Sequence, residues 1–240
     1  MSERAHARGA IEPSTADRAA VLRALRPEGI ALATTTRFRE DVFLNVPFDE
    51  DYEPLFVALV AGLVALRRRP RSVLEIPAAG KGRLARICDL MRTCGSSVHD
   101  LSRVTLSGAP GQRVPRFNMP FELGLACALD HVGDHPFIVR EAAPYRLQRS
   151  LSDLGGIDPY LHRGTPSGVL VALSDWLGAR GNDPTPRRMK HLYEIVYRRA
   201  RTMQRELGAS SLFTPTLFRR TTLVASLVAE NMGLVHSTMR

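Results

Sequence analysis

Aromatic residues make up only 6% of the 240 residues, with a single Trp. Cysteine is scarcer still. Cys88, Cys94 and Cys127 are odd in number, lack metal-ligand spacing and each fall in or near a helical apolar stretch. That pattern excludes a disulfide framework and implies reduced core thiols in a cytosol. No uncharged apolar run reaches the roughly 18 residues of a transmembrane helix, so no membrane partner is expected. The opening stretch "MSERAHARGAIEPSTADRAA" has no apolar signal-peptide core. A cytoplasmic protein is expected.

What the chain does have is basic charge, a formal +9. Much of it lies in "RRRPR" (67–71) and in arginines beyond residue 187. A basic surface attracts nucleic acid or phosphorylated small molecules. No aromatic residues interleave with the basic runs as a stacking platform requires, so the runs read as a solvated face and nucleic acid is not an expected partner.

Apolar runs and helical stripes alternate along the middle of the chain. "DVFLNVPF" (41–48) reads as a buried strand and is followed by a long helix through "VALVAGLVALRRR". "SVLEIPA" (72–78) reads as a second strand, and "GRLARICDLM" as an amphipathic helix with Leu84, Ile87, Cys88 and Met91 on one stripe. "SSVHDLS" (96–102) and "HPFIVR" (135–140) give a third and a fourth strand, separated by a Gly/Pro-rich loop and the helix in "RFNMPFELGLACAL" (116–129). The loop "LGGIDPYLHRGT" (154–165) has the Gly-Gly start of a lid, and "GVLVALSDWLGA" reads as a helix. The expected fold is therefore α/β, a parallel sheet flanked by helices. The expected organisation is a leader with a short helix (1–40), an α/β domain (41–182) and a C-terminal helical extension (183–240). The extension is rich in apolar residues from Leu212 to Val235, and a homo-oligomer formed through it is expected.

Ligands of parallel sheets bind outside the carboxyl ends of the strands. Phe48, Asp49, Asp100 and Ser102 stand at those ends, and Glu122 enters the helix that follows. If Asn118 caps that helix, Glu122 lies in its first turn, where the helix dipole favours a negative charge. The other reading places its carboxylate, between Phe121 and Leu123, at the mouth of a pocket. Asp100 could bind ribose hydroxyls, serve as a general acid or close an Asx turn. His99 should point to the opposite face as a structural histidine. "AAGKGRLARI" lacks the spacing of a P-loop. Within it Arg83 is the better phosphate contact, because its fork pairs with two oxygens.

Taken together, "FLNVPFDEDYEPLF", "GRLARICDLM", "SSVHDLSRV" and "PRFNMPFELGLACAL" resemble a bacterial family of TIR-like proteins related to the nucleoside 2-deoxyribosyltransferases. The resemblance covers about residues 41–175 and centres on Glu122-Leu123-Gly124-Leu125-Ala126. Asn118-Met119-Pro120 departs from the Gly-Thr that precedes the transferase glutamate. The resemblance implies a flavodoxin-like core and cleavage of the N-glycosidic bond of NAD or a related nucleotide, as an NAD(P)+ glycohydrolase or nucleotide N-glycosidase. It extends to a role in bacterial defence against phage. Glu122 and Asp100 would be catalytic. Phe48, Asp49, Arg83, Ser102, Asn118 and Phe121 would bind substrate, with no cofactor. The alternative is a non-catalytic module that senses a nucleotide or binds another protein.

Overall fold

Eight residues, Phe38–Asn45, form strand β1, and its last five side chains are all buried. Burial on both faces is the mark of a central strand in a parallel sheet. The computed structural model describes residues 38–76, 82–104, 106, 107, 114, 115, 117–133, 135–154, 156–178 and 183–235. The leader helix and most of the Gly-Lys-Gly stretch (77–81) lie outside the described residues. The described residues fall in one compact unit.

The remaining strands of the main sheet are β2 (Arg69–Arg71), β3 (Cys94–Asp100), β6 (Phe137–Glu141) and β7 (Tyr160–Leu161). They run in the order β2-β1-β3-β6-β7, and every pairing is parallel. The short strands β4 (Leu106–Ser107) and β5 (Val114–Pro115) pair antiparallel within the loop before residue 117. The fold is thus α/β with an all-parallel five-stranded sheet.

Two features depart from the expected strands. The apolar run at 72–78 is not a strand: Val73–Glu75 is one helical turn, closed by reciprocal hydrogen bonds between Ser72 and Glu75. This Ser-x-x-Glu capping box satisfies the backbone locally and removes it from the ladder. The strand lies just before it, in Arg-Pro-Arg. Its arginines are held by the fully buried Asp41 of β1, whose two carboxylate oxygens accept from Arg69 Nε and Arg71 Nη1. Pro70 is tolerated because β2 is an edge strand. At the other edge, Tyr160 and Leu161 of the expected lid form strand β7, and the next residue, His162, is fully buried.

Helices α1 (Glu53–Ala65) and α5 (Pro166–Leu177) cover one face of the sheet, packing on Val42, Leu44, Val98 and Ile138. Helices α2 (Arg83–Thr93) and α3 (Asn118–Gly133) cover the other, on Phe43 and Val139. A short helix, α4 (Arg146–Ser150), adds Leu147 to that side. Helices α6 (Pro186–Glu206) and α7 (Pro215–Asn231) form a further layer on α1. Helix α1 is therefore buried on every side, which explains why its sequence lacks a polar stripe. It also meets α5 closely, since a Cβ on Gly62 would fall 2.7 Å from a methyl of Leu173.

Three helices open the same way. Thr165, Thr185 and Thr214 each accept a hydrogen bond from a backbone amide of the first turn, with Pro in that turn. The apolar segment from Leu212 to Val235 is largely spent inside its own chain: Leu212, Leu217, Phe218, Ala225, Ala229 and Leu234 belong to the core shared with the sheet. Burial of this segment thus does not require a second subunit. Leu223 (59% exposed) and Leu227 (51%) remain on the outer side of α7. Among the described residues no helix is long and apolar enough to cross a membrane.

Candidate functional site

From β1 the chain crosses to β2 on one side and then to β3 on the other. The reversal leaves a crevice at the carboxyl ends of β1 and β3, where parallel sheets bind ligands. A cavity of about 360 Å³ lies at that edge. Its lining runs from Leu44 to Phe48 at the end of β1, takes Val73 and Arg83 from the next crossover, and is completed by Asn118, Met119 and Glu122 of α3.

Glu122 does not decorate the helix start. Helix α3 begins at Asn118, and the amide of Phe121 already bonds the carbonyl of Phe117 at 2.9 Å. Phe117 is therefore the boundary residue, and Glu122 sits beyond the first turn. The residue is only 7% exposed, and burial pushes the pKa of its carboxyl up to about 7 against the opposing pull of the Arg83 guanidinium. Among the described residues lining the cavity it is the sole carboxyl.

Asn45 is the residue that sequence reasoning missed. Its side-chain amide donates to the carbonyl of Met119 in α3 and to Nδ1 of His99 in β3, both at 2.9 Å. It thereby fixes the first turn of α3 against the ends of two strands, while itself lining the cavity. With Nδ1 accepting, the His99 ring proton sits on Nε2 and is given to Ser97 Oγ at 2.8 Å. The Ser97 hydroxyl is in turn 3.0 Å from His135 Nε2. Burial, with His135 adding to it, lowers the His99 pKa to about 3, so the ring stays neutral. His99 is thus held as a structural residue, but on the cavity's face of the sheet, the reverse of the expected facing. A polar residue closing an apolar strand, "VFLN", was the available signal for Asn45.

Asp100 is not brought to the cavity. It lies on the opposite face of the sheet, fully buried. Tyr52 donates its hydroxyl to it, the amide of Ser102 bonds its other oxygen at 3.0 Å, His162 Nε2 lies 3.2 Å away and the Arg140 guanidinium 3.9 Å away. Burial alone would raise the Asp100 pKa. His162, Arg140 and Ser102 outweigh it and hold the carboxyl at about 2. Asp100 is thus an ionised internal anchor, with the Asx-type bond to Ser102 that closes a strand. Ser102 stays with that anchor, and its carbonyl accepts from Arg146.

The other expected contacts divide. Phe48, Arg83 and Asn118 line the cavity with Glu122. Asp49 does not: its side chain caps the turn at Tyr52 and accepts from Arg103. Phe121 is 55% exposed and absent from the lining.

A second cavity of about 290 Å³ lies beyond Phe117 and Pro120, with Glu141, Arg146 and Arg149 in its walls. A larger groove, about 490 Å³, lies by Arg67–Pro70 and the end of α1, at the amino side of the sheet. It is remote from the edge where this architecture binds ligands. Fold and cavity together define an α/β protein with a buried carboxyl facing a cavity at the carboxyl edge of its sheet. Comparison with protein-family models, with curated proteins and with solved structures returns no match for this chain.

Proposed function

We propose that this chain is a TIR-like protein of flavodoxin-type topology, related to the nucleoside 2-deoxyribosyltransferases, and that it cleaves the N-glycosidic bond of NAD or a related nucleotide with Glu122 at the reacting carbon. The observation that carries the reading is the Glu122 carboxyl, nearly buried in a cavity at the sheet's carboxyl edge and faced by Arg83. The strand order, with neighbours 2-1-3 and then the two later strands, is that of the flavodoxin-like sheets and supports the same reading.

Breaking the bond from ribose to base builds positive charge on the sugar ring, as in glycoside hydrolysis. A desolvated carboxylate is well suited to stabilise or capture that charge. The bond between the anomeric carbon and the base nitrogen breaks, and its electron pair leaves with the base. Water then supplies the new oxygen and loses one proton. A neutral base would need a proton from a second acid. Asp100 is ionised on the far face, and His99 is neutral with both ring nitrogens engaged, so neither meets that need. The nicotinamide of NAD is already cationic and leaves without an acid. A cation beside Glu122 also favours its ionised form, so such a substrate prepares the carboxylate it requires. Arg83 at the rim suits the phosphates.

The same reading makes the protein a bacterial anti-phage effector that acts as a homo-oligomer, with Leu223 and Leu227 of α7 as the contact. The test of the activity is incubation with NAD, NADP, nucleoside monophosphates and deoxynucleosides, followed by chromatography. Release of nicotinamide, abolished by Glu122→Gln, is expected. Intact substrates throughout would overturn it.

A further inference from the structure

The cavity's aromatic wall is backed by a residue far along the chain. Phe48 lines the cavity, and its ring stacks on Phe213, with centroids 5.1 Å apart and ring planes at 28°. Phe213 lies in the turn between α6 and α7, and it also packs on Phe56 of α1 at 5.0 Å. The turn is fastened at the same place. The buried carboxylate of Glu53, at the start of α1, accepts from the amide of Leu212 at 2.6 Å and from Arg201 of α6 at 2.7 Å. Phe48 itself follows Pro47 in an irregular stretch between β1 and α1. Among the described residues Phe213 is the one aromatic ring paired with Phe48.

We infer that Phe213 is a positioning residue: the α6–α7 turn holds the Phe48 ring as a platform on which a flat, cationic heteroaromatic base of the ligand stacks. An offset ring pair presents one π-face outward, and that face attracts both aromatic surface and positive charge. The inference rests on the reading of the cavity as the nucleotide site. It adds that the C-terminal helices, through this turn's contact with Phe48, set how tightly the base is held.

Phe213→Leu removes the ring but keeps an apolar side chain. Phe213→Tyr restores the ring, and Phe218→Leu removes a neighbouring ring that packs on Phe56 at 5.8 Å instead of on Phe48. Amide exchange by mass spectrometry on the full chain would follow residues 44–52. Faster exchange there is expected in Phe213→Leu, with near-native behaviour in Phe213→Tyr and Phe218→Leu. With NAD as the probe, KM should rise by about tenfold in Phe213→Leu with kcat little changed, the pattern of lost uniform binding. Unchanged exchange in Phe213→Leu, or an equal effect of Phe218→Leu, would overturn the positioning role. Absence of NAD turnover in the native chain would instead remove the nucleotide reading, while the exchange result still decides whether Phe213 holds Phe48.

Discussion

The hydroxyl of Tyr52 and the carboxylate of Asp100 meet at 2.5 Å on the face of the sheet turned away from the cavity. That contact joins the turn before α1 to the end of β3, and it sits beside the fully buried guanidinium of Arg140. Burial and the Asp100 charge together raise the Tyr52 pKa well above its ordinary value, so the phenol remains a donor.

Asp100→Asn should accordingly damage the fold more than the chemistry. It leaves the Arg140 charge buried and uncompensated, a loss of about 3–5 kcal/mol. Urea denaturation at neutral pH would measure it. The sign with pH follows from the depressed pKa: the native carboxylate contributes stability above the unfolded chain's value near 3.8, and that contribution disappears as pH falls toward about 2. A fully stable Asp100→Asn would show that Arg140 is compensated by something else.

Glu122 has the opposite sign. Its native pKa, about 7, lies above the ordinary value near 4.5, so the folded chain holds a proton that the unfolded chain has lost between those pH values. Stability therefore falls as pH rises through the window, and the loss is complete above it. Glu122→Gln should be more stable than the native chain at pH 8 by roughly 1–3 kcal/mol and close to it at pH 4. Turnover should meanwhile drop about a hundredfold or more, as when one electrostatic stabiliser is lost. A melting series at both pH values, beside the activity assay, separates a functional carboxyl from a stabilising one.

Asn45→Ala removes the donor shared by Met119 and His99. Leaving those buried acceptors unpaired should cost about 1–3 kcal/mol. It should also speed exchange of the first bonded amides of α3, from Phe121 onward, before the rest of that helix. Uniform exchange along α3 would show that the first turn is held by packing alone.

Helices α6 and α7 offer a test by truncation. A chain ending at Asp183 would uncover the outer side of α1, an apolar helix with no polar stripe. It should aggregate or expose dye-binding surface, as large apolar patches do. Light scattering on the full chain then tests the proposed oligomer, and Leu223→Ser with Leu227→Ser should dissociate it while leaving the melting temperature near native. A monomeric full chain at micromolar concentration would rule the oligomer out.

The layout of the sheet was legible wherever an apolar run had no local rival. β1, β3 and β6 stand close to their expected places because their backbones have nothing better to bond. At 72–78 the Ser72–Glu75 capping box supplied a better local partner, and the strand moved into Arg-Pro-Arg, whose charges look unsuited to a sheet until Asp41 is seen beneath them. β7 is two residues long and has no periodicity to read. In the site, the spacing of "NMPFELG" brought Glu122, Asn118 and their helix to the right edge. Alternation along a strand could not say which face Asp100 would take, because both faces of a parallel strand are apolar. The partnership of Phe48 with Phe213 was not legible, since nothing local links them.

Glu53 and the amide of Leu212 are 159 residues apart in the chain, and their hydrogen bond fastens the turn that backs the cavity wall. During synthesis, residues near the start of α1 leave the ribosome long before the turn that completes their surroundings. At ordinary elongation rates of roughly 5–20 residues per second, that interval lasts on the order of ten seconds or more. Throughout it, the strand ends and the Phe48 loop exist without their backing. On the proposed reading, such a delay keeps the partly made chain from holding its nucleotide until the turn is in place.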